Sequence, residues 1–135
     1  MILPNGAIVA VADGHDLSLY RNTGAETQLR LTALDGGEIE AGNAGSGSRH
    51  RNDSANPDPD RAGEDAFAAS AAERLNKLVL GNPAITGLVV IADPRTLGEM
   101  RRNYHQTLKA KLLAELDKDL TGRPVAEITA AIQNA

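Results

Sequence analysis

Ala7-Ile8-Val9-Ala10-Val11-Ala12 is a short, partly β-branched apolar run, the pattern of a strand buried on both faces. Asp13-Gly14 follows, a pair that favours a tight hairpin because both residues tolerate positive φ. Leu17-Ser18-Leu19-Tyr20-Arg21 then alternates apolar and polar with period two. Another turn, Asn22-Thr23-Gly24-Ala25, leads into Gln28-Leu29-Arg30-Leu31, which alternates again. The pattern predicts an antiparallel meander of three strands.

From Asp35 to Gly63 the chain is dominated by Gly, Ser, Asn, Asp, Pro and Arg, with Ile39 its only large apolar residue. So few apolar groups cannot offset ordering entropy, which predicts a long, mobile, Gly-rich loop over residues 36–63. The loop belongs inside a single domain spanning 1–135, because three strands could hardly fold alone. Helical spacing resumes at Glu64, with Phe67, Ala71, Leu75, Leu78 and Val79 on one side, and Gly81-Asn82-Pro83 ends it.

Gly87-Leu88-Val89-Val90-Ile91-Ala92 is the most apolar run in the chain and predicts a central strand covered on both faces. Asp93-Pro94 reads as N-cap and first helical residue of a helix reaching about Asn103. Residues 107–120 fit two patterns. Leu108, Leu112, Leu116 and Leu120 share a helical face, whereas Leu112, Ala114 and Leu116 alternate as a strand would; local propensity favours helix. A terminal amphipathic helix starts at Pro124, with Val125, Ile128 and Ile132 inward. The predicted fold is α/β: a three-layer, mixed β-sheet with helices on both faces and an N-terminal antiparallel meander. Val9, Val11, Leu19, Leu75, Val89, Ile91 and Ile128 are its predicted core.

Composition narrows the chemistry. One Phe, two Tyr and no Trp leave the core to Ala, Leu, Ile and Val. A formal net charge of −4 disfavours a globally basic nucleic-acid binder but permits a local basic patch. The absence of cysteine excludes disulfides, thiolate nucleophiles and Cys-ligated zinc. Met1 to Gly6 has neither a basic start nor a long apolar stretch, so no signal peptide is expected. No apolar run reaches membrane-spanning length, which makes the cytoplasm the expected address.

Among candidate sites, Asp13-Gly14-His15-Asp16 gathers two carboxylates and an imidazole, but hairpin chemistry already accounts for Asp13 and Gly14. Ligands from a second segment are missing, so no metal is expected. Arg49-His50-Arg51 follows Gly45-Ser46-Gly47-Ser48. Gly45 and Gly47 would let backbone N–H groups approach a phosphate that Arg49, His50 and Arg51 could hold; the plainer reading is a solvated loop with incidental charges. His50 has no identifiable nucleophile or orienting partner, so no catalytic residue and no cofactor are assigned. Asp117-Lys118-Asp119 reads as a solvated turn that pairs locally, and Arg101-Arg102 as a solvent face. His105, after Tyr104, is expected near a helix C-terminus, where a cation suits the dipole.

Three segments, in order, resemble a bacterial family of proteins required for attachment to host cells. They are Val11-Ala12-Asp13-Gly14-His15 with Leu19-Tyr20-Arg21-Asn22, then Gly45 to His50, then Ala114-Glu115-Leu116-Asp117-Lys118-Asp119-Leu120-Thr121. Ala92-Asp93-Pro94-Arg95-Thr96-Leu97-Gly98 resembles the family's strand-to-helix segment. That family is similar in layout to the middle domain of archaeal and eukaryotic release factors, whose long loop carries a Gly-Gly-Gln tripeptide that positions water at peptidyl-tRNA. The resemblance implies a strand over residues 112–117, against local propensity. It implies ribosome or tRNA as partners, with no membrane. The chain departs from the pattern where the chemistry would be: no Gln occurs between Asp35 and Gly63. Gly36-Gly37-Glu38 lies far from the helix at Glu64, and a carboxylate cannot donate as an amide does. A non-catalytic binding or regulatory module is therefore expected ahead of an ester hydrolase or a direct attachment factor.

Overall fold

The computed structural model describes residues 2–34 and 59–135. Its strands are β1 (Ile8–Ala12), β2 (Leu17–Asn22), β3 (Leu31–Ala33), β4 (Leu88–Ala92) and β5 (Leu112–Asp117). Its helices are α1 (Pro59–Gly81), α2 (Pro94–Arg101), α3 (Gln106–Lys111) and α4 (Val125–Gln133). Among the described residues the strands form one mixed sheet in the order β3-β2-β1-β4-β5. β1, β2 and β3 pair antiparallel, while β1, β4 and β5 run parallel. The fold is α/β, with helices on both faces of the sheet.

Every residue of β1 and of β4 is buried, as their uninterrupted apolar runs require. Side-chain alternation then divides them between two layers. Ile8, Ala10, Leu88 and Val90 join Leu75 of α1, Leu97 of α2 and Leu108 of α3 in one core. Val9, Val11, Val89 and Ile91 join Ile128 and Ile132 of α4 in the other. All seven residues expected in the core are buried.

Three boundaries differ from the sequence expectation, each for a tertiary reason. β3 begins at Leu31, where the expected strand ended. The backbone N–H of Arg30 is taken instead by the Oδ1 atom of Asn22, at 3.1 Å, and Gly24 N–H donates to the same oxygen at 2.9 Å. α1 begins at Pro59 rather than Glu64; proline suits a helix start because its missing N–H would be unbonded there anyway. The rest of the segment expected to be mobile lies outside the described residues. α2 ends at Arg101, and His105 stands at the N-cap of α3, not at a helix C-terminus. It sits 3.6 Å from Glu73 of α1, so the carboxylate rather than the dipole accounts for it.

Residues 107–120 divide into α3 and β5, so the strand implied by the release-factor resemblance is present and the propensity-based helix stops at Lys111. Upstream of this division, the buried side chain of Asn76 in α1 holds the α2–α3 junction. Its Nδ2 donates to Asn103 O at 2.8 Å and its Oδ1 accepts from His105 N–H at 3.0 Å. Tyr104, between those two residues, is driven into the core.

A β-bulge then sets the faces of β5. Leu88 pairs with Leu112 but Val89 pairs with Ala114, which leaves Leu113 as the extra residue. A bulge shifts all later side chains to the opposite face. Leu112 therefore joins the α1–α3 core and Leu116 packs against the α4 core. Leu113 is 45% exposed, and its Cδ1 would lie 2.5 Å from any Cβ placed on Gly87.

The bulge also brings Glu115 to the helix side, where Arg101 Nε donates to its Oε1 at 2.8 Å. The Tyr104 hydroxyl and Glu115 Oε2 are both buried outside hydrogen-bonding geometry. Burial first, and the neighbouring Glu115 carboxylate second, hold the Tyr104 proton far above the ordinary tyrosine range, against a smaller opposing pull from Arg101.

Two outcomes are expected. Asn22 is fully buried; its Nδ2 donates to Leu3 O and its Oδ1 serves the two N–H groups named above. Asn22→Ala orphans them all and should cost about 3 kcal/mol in urea unfolding, whereas surface substitutions stay within about 0.5 kcal/mol. An unchanged denaturation midpoint would contradict the role given to this amide. For Tyr104, the folded protein keeps the phenolic proton while the unfolded chain loses it above about pH 10. Stability should therefore fall as pH rises beyond that point, by up to about 1.4 kcal/mol per pH unit more than in Tyr104→Phe. Parallel pH profiles for the two proteins would exclude that linkage.

Candidate functional site

The parallel strands β1, β4 and β5 all finish at one edge of the sheet, where Ala12, Ala92 and Asp117 lie in register. In open α/β sheets the loops leaving such an edge are the usual place for a ligand. β3 also runs toward this edge, and the first turns of α1 meet it through Glu64. Most of the Gly-rich segment, residues 35–58, lies between β3 and α1 in the chain, outside the described residues. Its residues assigned from sequence, Gly45, Gly47, Arg49, His50 and Arg51, lie outside the described residues, as does Gly36-Gly37-Glu38.

The β1–β2 turn is closed by Asp13 N–H donating to Asp16 O at 3.0 Å. Asp13 Oδ1 accepts from the N–H groups of His15 and Asp16, each at 2.7 Å. This carboxylate is consumed by its own turn. Gly14 is not in the positive-φ region, which among described residues holds only Gly6 and Gly122. The expected reason for glycine is therefore replaced by another, close approach: a Cβ on Gly14 would lie 2.5 Å from Glu64 Cγ. Glu64 in turn lies 3.2 Å from His15 Nε2, which clips the turn to α1.

Asp93 caps α2 as expected. Its Oδ2 accepts from Thr96 N–H at 3.1 Å and its Oδ1 from the Thr96 hydroxyl at 2.7 Å. Two residues after Asp93, Arg95 forms a two-pronged bond with Asp65 of α1, its Nη2 lying 3.0 Å from both carboxylate oxygens. Asp117, Lys118 and Asp119 are exposed, and among the described residues none forms an ion pair, so the expected local pairing is not seen. Lys118 instead extends the sheet by donating its backbone N–H to Ala92 O at 3.1 Å.

Sequence reasoning missed Glu64, Asp65, Arg95 and Thr96 at this edge. Thr96 carried a legible signal, since Asp-Pro-x-Thr places a hydroxyl at the third helical position, where it can face the cap. Asp65 and Arg95 are thirty residues apart with no shared motif, so only the packing of α1 on α2 unites them. Among the described residues no three His, Asp or Glu side chains form a group that could hold a metal ion. The carboxylates are spent on capping, on a turn and on tying two helices together. What the described edge offers is an acidic mount in which the β1–β2 turn is tied to α1 and α1 is tied to α2. Arg101 and Arg102 are exposed, as expected of a solvent face, although Arg101 also bonds Glu115.

Gly14→Ala tests that mount. Displacing Glu64 should destabilise the protein by about 1–3 kcal/mol, the usual cost of overpacking. The loss should largely disappear in the double variant Gly14→Ala/Glu64→Ala, read by thermal unfolding. Equal losses in the single and double variants would mean that Glu64 is not the obstacle.

No curated protein matches the chain significantly. A family model does, described as bacterial archaeo-eukaryotic release factor family 12, and it covers residues 6–132. The match spans all five strands and reaches into α4, and it bears on the release-factor half of the sequence resemblance without bearing on attachment to host cells. With the meander, the strand at 112–117 and almost its whole length accounted for, the chain belongs to the bacterial archaeo-eukaryotic release factor family 12.

Proposed function

We propose that this protein is a non-catalytic binding or regulatory module acting in translation, contacting ribosome or tRNA through its Gly-rich segment. Family membership supports the setting. The observation that carries the non-catalytic reading is the absence of glutamine between Asp35 and Gly63. In the domain this chain resembles, an amide on that loop orients water against the ester carbonyl, and such orientation supplies much of the rate. Here Gly45 and Gly47 keep the close backbone approach, while Arg49, His50 and Arg51 supply charge that can hold a phosphate without attacking anything near it. On this reading any effect on attachment to host cells is indirect.

The test incubates the protein with ribosomes carrying peptidyl-tRNA and follows both peptide release and co-sedimentation. The expected result is association without release above background, weakened by Arg49→Ala/Arg51→Ala and by added salt. Release that disappears with His50→Ala or with Glu38→Ala would establish an ester hydrolase instead and identify its catalytic group.

A further inference from the structure

The charges of the described residues are segregated along the strand direction. The edge where β1, β4 and β5 finish carries Asp13, Asp16, Glu64, Asp65, Asp93 and Asp117. Its cations are Arg95, held by Asp65, and Lys118, which is exposed with no ion pair among the described residues, so the edge is acidic in balance and not in every residue. The opposite end is basic. α3 runs toward it, since Lys111 Nζ donates to Ile85 O at 2.8 Å, just before β4 begins. Lys109 stands one turn beyond His105 on the same face of α3. Lys77 stands one turn beyond Glu73 on the same face of α1. Because His105 and Glu73 meet at 3.6 Å, Lys77 and Lys109 lie on facing sides of two packed helices. Arg102 adds charge at the α2–α3 junction, paired loosely with Glu99 at 3.6 Å. Both Lys77 and Lys109 are exposed, and among the described residues neither has an ion-pair partner.

We infer that this end of the domain, centred on Lys77, Arg102, Lys109 and Lys111, is a second contact for an RNA phosphate backbone, opposite the acidic edge. The inference rests on the translation reading above. Lys77, Arg102 and Lys109 are exposed and come from α1, the α2–α3 junction and α3, which suits a spread backbone and not a compact phosphorylated ligand. A lipid surface would call for one continuous amphipathic apolar face beside the lysines; the large apolar residues exposed toward this end, Ile2, Leu80 and Leu113, come from three separate segments of the chain. Tyr104 is buried, so no aromatic ring of α2 or α3 is free to stack on a base. Binding here reads charge and not sequence. The basic end is the electrostatic anchor, separate from the contact proposed for the Gly-rich segment.

The experiment measures anisotropy of labelled unfractionated tRNA with the full chain from about 50 to 200 mM salt. It compares wild type with Lys77→Glu/Lys109→Glu, with Arg49→Ala/Arg51→Ala, and with Arg123→Glu as a charge control at α4. Lys77, Lys109 and Arg123 are exposed or paired only at the surface, and a thermal melt confirms folding. The double lysine reversal should weaken binding about tenfold or more at low salt and flatten the log–log salt slope by about one per lysine. Arg123→Glu should change neither by a comparable amount. Wild-type affinity and slope in Lys77→Glu/Lys109→Glu would overturn this inference while leaving the translation reading intact, provided the Arg49→Ala/Arg51→Ala protein is impaired. Absence of any tRNA or ribosome binding by wild type would overturn both. Displacement of tRNA by polyglutamate at equal charge concentration would replace RNA with an acidic protein surface as the partner.

Discussion

The amide of Asn76 holds the point on which the C-terminal half of the chain turns. By taking Asn103 O and His105 N–H it satisfies two backbone groups that a continued helix would have bonded internally. The chain therefore breaks between α2 and α3, and Tyr104 enters the core. Each of these bonds is made where water competes poorly, which makes the junction costly to undo.

The bulge at Leu113 is the second half of the same device. A regular β5 would have turned Glu115 toward α4 and away from Arg101. The extra residue costs a ladder bond and exposes a leucine, yet it places a carboxylate next to the only guanidinium that meets it among the described residues. An inward-facing charge and a bulge are also ways in which open sheet edges are kept from pairing with other chains. β5 carries both. The same residues that fix the register therefore leave the outer edge a poor template for assembly.

Charged side chains follow the direction of the strands. Parallel β1, β4 and β5 send their C-terminal ends, with Asp13, Asp93 and Asp117, to one edge. Asp13 and Asp93 there accept from local backbone N–H groups. Lys109 and Lys111 of α3 lie toward the opposite end, where Lys111 reaches Ile85 O.

The elements whose identity depends on local chemistry were legible in the sequence: the apolar runs of β1 and β4, the Asp93-Pro94 cap, the breakers after α1 and the amphipathic stripe of α4. These are read from neighbours a few residues apart, and the α/β layering follows from their order. The absence of the water-positioning glutamine was equally plain. What the sequence could not decide were properties set by residues far apart in the chain. Asn22 moved the start of β3, Asn76 separated α2 from α3, the bulge assigned Glu115 to a face, and Glu64 rather than backbone φ explained Gly14. The pairing of Asp65 with Arg95, and of Glu73 with His105, likewise exists only because α1 lies against α2 and α3. Local pattern fixes what each segment can become; which of two permitted forms it takes is decided by the buried hydrogen bonds and charges that the assembled layers make available, since an unpaired polar group inside costs more than any local preference supplies.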